Sequence, residues 1–149
     1  MHFFDCNVYY GLLPYRHLNP VQTTADLLAE MDRNNVEKAL VWHASQLLVS
    51  VQKGNQVLAE SIQPHPRLVG CWTILPESAP ELPRRKDFFQ QMKEKRIGAV
   101  RVFPEQHNYL LDPLALESWL EELSSRRIPL IVSNNRGGTW RDIYKVMEA

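Results

Sequence analysis

Polar residues of the first strand-like segment, "MHFFDCNVYYG", have the types and the spacing that a chemical site requires. Asp5, Asn7 and Tyr9 alternate with Cys6 and Val8, and alternate residues of a strand point to the same face. The same spacing suits a His-x-His metal motif, but other residue types occupy both ligand positions. We therefore predict a site at the far end of this strand.

Further polar side chains lie in or after the later strand-like segments. The carboxyl ends of parallel strands are where barrel enzymes gather their chemistry. We predict that five side chains contact a small-molecule ligand there, namely Asn7, Tyr9, Arg101, Ser133 and Asn134.

Two residues are candidates for a general base in a metal-independent reaction. His43 ends the second strand-like segment and Asp5 lies in the first. The alternative for His43 is a hydrogen-bonded residue at a strand end. Arg101 lies in an apolar run and must be paired if it is buried, either with Asp5 or with a substrate carboxylate. His107 follows on a polar loop, where we expect it to be exposed.

Composition limits the classes of protein that fit. The chain has 149 residues, a formal net charge of +0 and 44% hydrophobic residues, and its pI is about 7.0. These values indicate one globular domain over residues 1–149 and provide no field that would attract nucleic acid or an anionic membrane. No segment resembles a membrane span or a signal peptide.

Two cysteines, Cys6 and Cys71, both lie in apolar strand-like runs. We expect both thiols to be buried and reduced, which is typical of the cytoplasm. A disulfide between neighbouring strands is the alternative.

Strand-like and helical patterns alternate along the whole chain. Five strand-like runs begin about 30 residues apart, the length of one strand–helix unit. They begin at His2, Lys38, Arg67, Gly98 and Ile128. Helical periodicity fills the intervals, with Thr23 or Thr24 as a predicted N-cap and Asp112–Pro113 as a helix start. A fifth helix is predicted from Thr139.

This (βα)₅ pattern is compatible with two α/β architectures. The first is a five-stranded doubly wound parallel sheet, which is complete at this length. The second is the first five βα units of a TIM barrel, which typically needs about 250 residues. Strand order distinguishes the two and cannot be read from one sequence.

The segments also resemble, in order, the N-terminal part of an amidohydrolase-superfamily barrel, the group of metal-dependent hydrolases and decarboxylases. The matching segments are "FFDCNV", "TTADLLAEMDRNNVEKALVWHA", "GNQVLAESIQPHPRLVGCWTILPE", "IGAVRVFPEQHNYLLD" and "RRIPLIVSNN". The resemblance implies a TIM barrel, so the doubly wound sheet becomes the alternative and the domain is expected to be incomplete at its C-terminus.

The same resemblance implies a metal site whose ligand positions are replaced here. The family carries His-x-His on the first strand and a ligand histidine on the fifth, where this chain has Asn7, Tyr9 and Ser133. Neutral amide and hydroxyl oxygens are weak ligands for Zn²⁺. We therefore expect an amidohydrolase-related hydrolase with its usual metal site lost and no cofactor. A bound divalent metal such as Zn²⁺ is the alternative for the cofactor.

Three functional hypotheses stay open at this point. The chain is a hydrolase by resemblance, a non-catalytic barrel that binds a small molecule or anion, or a metal-independent enzyme. Apolar first and fifth strands without partners also lead us to expect a homo-oligomer or a further C-terminal segment that covers them.

Overall fold

The computed structural model describes residues 3–14, 20–133 and 139–148. Strands and helices alternate along it, with one additional short helix. The strands are β1 (Phe3–Tyr10), β2 (Val36–His43), β3 (Leu68–Thr73), β4 (Ile97–Val102) and β5 (Leu130–Val132). The helices are α1 (Thr24–Arg33), α2 (Ser45–Leu48), α3 (Val51–Ile62), α4 (Arg85–Glu94), α5 (Pro113–Arg126) and α6 (Trp140–Glu148).

All five strands form one parallel sheet in the order β1-β2-β3-β4-β5. A doubly wound sheet reverses direction at a switch point, so its strands do not lie in chain order across the whole sheet. The alternative architecture is therefore wrong. The sequential order is that of a TIM barrel, and the chain forms the first five units as a half-barrel.

Curvature of the sheet is evident from one contact across its concave face. Arg101 of β4 donates a hydrogen bond from Nη2 to Oδ1 of Asn7 of β1, at 2.5 Å. Three strand spacings of about 4.8 Å separate these strands along the sheet, or about 14 Å if it were flat. The curl brings the two side chains into contact, so the concave face is the interior of the half-barrel.

Two apolar clusters lie on opposite faces of this sheet. The larger fills the space between the convex face and the helices, and Val41, Leu68, Val100 and Leu116 in it are completely buried. The smaller lies on the concave face and is formed by Trp42, Cys71, Ala99 and Phe103, with Tyr9 and Ile131 packed against them. Residues of one strand alternate between the two clusters, as the period of two requires.

The helix starts agree with their sequence signals. Thr23 Oγ1 accepts from the Asp26 amide at 3.1 Å, and Asp26 Oδ2 accepts from the Thr23 amide at 2.9 Å. This capping box confirms Thr23 as the N-cap of α1. Asp112 caps α5 by accepting from the Leu114 amide at 2.9 Å, with Pro113 at the first helical position.

Helix α2 packs closely against α3 through Gly54. A Cβ atom at Gly54 would lie 2.4 Å from the Gln46 amide nitrogen, which no side chain could occupy without moving the backbone. Glycine therefore sets the approach of the two helices. Gln46 of α2 also donates to the Cys71 carbonyl, so α2 contacts β3 near its carboxyl end.

The burial of the two cysteines agrees with the expectation for Cys71 and not for Cys6. Cys6 is exposed, whereas Cys71 is buried, and both are free thiols. The expectation that Cys6 is buried was wrong because residues 3–7 of this edge strand are exposed. No helix in the described ranges is both long enough and apolar enough to cross a membrane.

Candidate functional site

Arg101 of β4 lies on the concave face and is only 2% exposed. Its guanidinium carbon is 4.7 Å from the centroid of the Trp42 ring and 5.3 Å from that of Phe103. Both rings offer their electron-rich faces to the cation, which offsets part of its desolvation. Burial nevertheless lowers the pKa of Arg101. The protein thus holds a positive charge in an aromatic setting.

The Arg101 guanidinium does not use all of its hydrogen-bond donors within the described residues. Within the described residues, Arg101 Nε is buried without a hydrogen-bond partner, and so is Oγ1 of Thr73. Thr73 is directly opposite Arg101 in the register of β3 and β4. Two neighbouring buried polar groups therefore lack partners on the same face.

No described side chain supplies a negative charge to the guanidinium. Cys71 lies close enough to interact with Arg101, but burial raises the pKa of its thiol to about 12. The thiol is therefore protonated and neutral near pH 7. Among the residues that the structure describes, Arg101 takes part in no ion pair. Its acceptor there is the neutral amide of Asn7.

Most of the predicted ligand-contacting residues share this concave face. Asn7 contacts Arg101 directly, and the Tyr9 ring centroid is 5.2 Å from that of Trp42. Ser133 directly follows β5, and by alternation it shares the face of Ile131. Asn134 lies outside the described residues. The structure thus places four of the five predicted residues on one face. Their roles in ligand binding stay predictions.

Arg101 is not paired with Asp5, the partner considered from the sequence. Asp5 is exposed, and its Oδ1 accepts from the backbone amide of Asn7 at 3.0 Å. A register irregularity between Asp5 and Val8 changes the alternation of β1. As a result the amide, instead of the carboxylate, reaches the guanidinium.

His43 has a hydrogen-bonded position at the end of β2. The Ser45 hydroxyl lies 2.6 Å from His43 Nδ1, and the Ser45 amide donates to the same atom at 3.2 Å. Nδ1 is therefore an acceptor, which leaves the proton of the neutral ring on Nε2. Burial lowers the pKa of His43, so the ring is neutral near pH 7.

The two candidate bases do not form one constellation. Asp5 is opposite Ala39 and His43 is opposite Tyr10 in the pairing of β1 with β2. His43 is four positions along β2 from Ala39, which corresponds to about 13 Å along a strand. His43 also packs edge-on against Tyr10, on the convex side, with ring centroids 4.9 Å apart. Neither residue contacts Arg101 in the described contacts.

A second group of polar residues lies near Phe103, on the loops that follow the strands. The His107 ring is half-buried, with its centroid 5.7 Å from that of Phe103, so the expectation that it is exposed was wrong. It lines a cavity of about 390 Å³ together with Glu81 and Tyr109. Glu81 was not a candidate from the sequence because its loop has no recognisable motif.

Comparisons with known proteins support the fold. No family model matches the sequence, and no curated protein matches it. A solved structure that is similar in fold is a "probable 2-pyrone-4,6-dicarboxylic acid hydrolase" from Acinetobacter baumannii with citric acid bound. It has a TM-score of 0.51 and 15% sequence identity, over 87% of this chain and 57% of that chain. This chain therefore spans little more than half the length of its structural neighbour.

Proposed function

We propose that this chain forms part of a hydrolase-type (β/α) barrel that binds a carboxylate-bearing small molecule at Arg101. The observation that carries the proposal is that Arg101 is only 2% exposed and that its guanidinium donates, within the described residues, to a neutral amide. A carboxylate is the natural partner of such a group because its two oxygens match the guanidinium fork. The similar structure holds citric acid, a tricarboxylic acid.

The neighbours of Arg101 favour an anion as the missing partner. Thr73 Oγ1 is a second buried group without a partner, and its hydroxyl can donate to a carboxylate oxygen. Asn7, which accepts from the guanidinium, is itself exposed. Its amide oxygen can be displaced by a charged oxygen, since charge-assisted hydrogen bonds are about twice as strong as neutral ones.

The residues at the implied metal positions fit a divalent cation poorly. Asn7 Oδ1 already accepts from the Arg101 guanidinium at 2.5 Å, and a divalent cation at that oxygen would repel the guanidinium. Tyr9 would have to lose a proton to become a strong ligand. Both arguments support a site that works without the metal, and we assign no step to one.

Binding of citrate to Arg101→Met and Arg33→Met tests the proposal. Arg101 has no carboxylate partner in the described residues, so methionine strands no charge there and the fold should survive. Arg33 is a matched control, because its side chain is 69% exposed and far along α1. We expect citrate to raise the melting temperature of the unaltered protein and of Arg33→Met only. An equal rise in Arg101→Met would contradict the proposal.

Hydrolysis is the second candidate function, and the similarity to a probable hydrolase favours it. His43 is neutral near pH 7 and is the first candidate base, but water must replace the Ser45 hydroxyl at Nδ1 before the ring can accept a proton there; Asp5 is the other candidate base. A carboxylate-bearing ester or lactone is the substrate class that suits Arg101. Turnover of 2-pyrone-4,6-dicarboxylate after treatment with a chelator would support it, with His43→Gln inactive. Unchanged turnover in His43→Gln would remove His43 from the mechanism.

A further inference from the structure

A cavity of about 390 Å³ lies between the loops that follow β2, β3 and β4. Its walls combine apolar groups, among them Val49, Leu75 and Pro76, with the polar side chains of Ser50, Ser78, Glu81, His107, Asn108 and Tyr109. Loops at the carboxyl ends of the strands form the ligand sites of barrel enzymes. This cavity belongs to neither the Arg101 contacts nor the candidate bases.

Glu81 is a fixed negative charge in this wall. Its Oε1 accepts from the Ser50 hydroxyl at 2.5 Å and from the Gln52 amide at 3.0 Å. Partial burial alone would raise the pKa of Glu81, but these hydrogen bonds and one from the Val51 amide lower it overall. The carboxylate is thus ionised and held in place at neutral pH.

Two other residues of the same cavity wall carry polar atoms without hydrogen-bond partners among the described residues. His107 Nδ1 and Tyr109 Oη are both buried and have no partner in the described part of the chain. Burial lowers the pKa of His107 more than the Gln46 and Leu47 carbonyls and Glu81 raise it, so the ring is neutral. None of the described residues that line the cavity is a lysine or an arginine. The Glu81 carboxylate therefore disfavours an anion in this cavity, and His107 and Tyr109 provide acceptors for a donor group.

We propose that this cavity binds the protonated amino group of a small molecule, with Glu81 as its counter-charge and His107 and Tyr109 as further acceptors. An ammonium group has three donors and no acceptor, which matches three acceptors in one wall. The apolar residues of the loops cover the carbon chain next to the nitrogen. This assignment does not depend on carboxylate binding at Arg101, since the two sites share no residue.

Titration with n-butylamine, n-butanol and butyrate, followed by two-dimensional NMR, tests the assignment. The three probes have chains of equal length and differ in charge. We expect butylamine at neutral pH to shift the resonances of Glu81, His107 and Tyr109. Butanol should bind more weakly and butyrate should leave these resonances unchanged.

Two variants and a control make the result specific. Glu81→Gln keeps an acceptor for Ser50 and the Gln52 amide but removes the charge, and should weaken butylamine binding by about tenfold or more. Glu77→Gln, an exposed carboxylate on the same loop outside this cavity, should bind as the unaltered protein does. Ser78→Trp, at an exposed residue of the wall, should block the cavity if Glu81→Gln fails to fold. Equal binding of the three probes, no binding of butylamine, or full affinity in Glu81→Gln or Ser78→Trp would overturn the proposal.

Discussion

At the scale of single residues, the pairing of Arg101 decides what the concave face can bind. An arginine in an apolar run indicated from the sequence that a partner is needed, and the structure supplies the Asn7 amide. The choice of Asn7 over Asp5 could not be predicted, because it depends on an irregular register within β1. The sequence also did not predict that His107 and Glu81 line the same cavity, because their loops are far apart in the chain.

Replacing Asn7 by aspartate should prevent a ligand carboxylate from binding at Arg101. The new carboxylate would lie beside Arg101 as an internal counter-charge, so we expect the free energy of unfolding to rise by about 1 kcal/mol and citrate binding to be lost. Urea denaturation and calorimetric titration measure the two effects. Asn7→Ala, which removes the oxygen without adding charge, should still bind citrate. Citrate binding by Asn7→Asp at full affinity would contradict this expectation.

Two partly buried histidines should make the stability depend on pH below neutrality. Burial lowers the pKa of both His43 and His107 from the usual 6.5, so the unfolded chain binds more protons than the folded one. The free energy of unfolding should therefore fall as the pH drops below about 6.5. Urea denaturation between pH 7 and 5 should give a shallower fall for His43→Gln. The same slope in both proteins would mean that His43 does not contribute.

At the scale of elements, a network of amides fixes the loops that carry the candidate sites. Asn55 of α3 accepts from Gln46 Nε2 at 2.6 Å and from the Thr73 amide at 2.8 Å, and it donates to the Thr73 carbonyl at 2.8 Å. Gln46 Nε2 also donates to the Cys71 carbonyl at 3.0 Å. These bonds tie α2 and α3 to the end of β3, next to Arg101.

Asn55→Ala should therefore destabilise the protein by about 3 kcal/mol, because several buried polar groups lose their partners. Gln56→Ala is the matched control, since Gln56 is exposed on the same helix. Its change should stay within about 0.5 kcal/mol. Urea denaturation measures both. A loss in Asn55→Ala no larger than that of the control would show that the network does not hold the loops.

The long helices and most of the sheet could be predicted at this scale, and α2 could not. Periodicity over ten or more residues and caps such as Thr23 and Asp112 identify a helix locally. Helix α2 has four residues, too few to show a period, and depends on packing against Gly54.

At the scale of the whole molecule, the order of the strands identifies a half-barrel with two open edges. The repeat of strand and helix was readable from the sequence, but the order was not, because it depends on contacts between distant segments. Large apolar side chains remain exposed near both edges. They include Phe3 and Phe4 on β1, at 51% and 57%, and Trp140, Tyr144 and Met147 on α6, at 77%, 60% and 74%.

These surfaces predict that the chain associates with itself in solution. Exposed strand edges with apolar side chains recruit further strands. Multi-angle light scattering should give a mass that rises with concentration. Phe4→Glu should lower that mass, whereas Val57→Glu, an exposed apolar residue on α3, should not. A monomer at every concentration would contradict this prediction.

The NMR signal of the Arg101 side chain tests the central claim, carboxylate binding at a buried guanidinium, most directly. The Nε–H group of Arg101 has no partner in the described residues, so its proton resonance should move when a carboxylate arrives. Titration with citrate should shift this resonance downfield and slow its exchange with water, while the Nε–H of the exposed Arg33 stays unchanged. An unchanged Arg101 resonance at saturating citrate, or equal shifts at Arg33, would contradict the account.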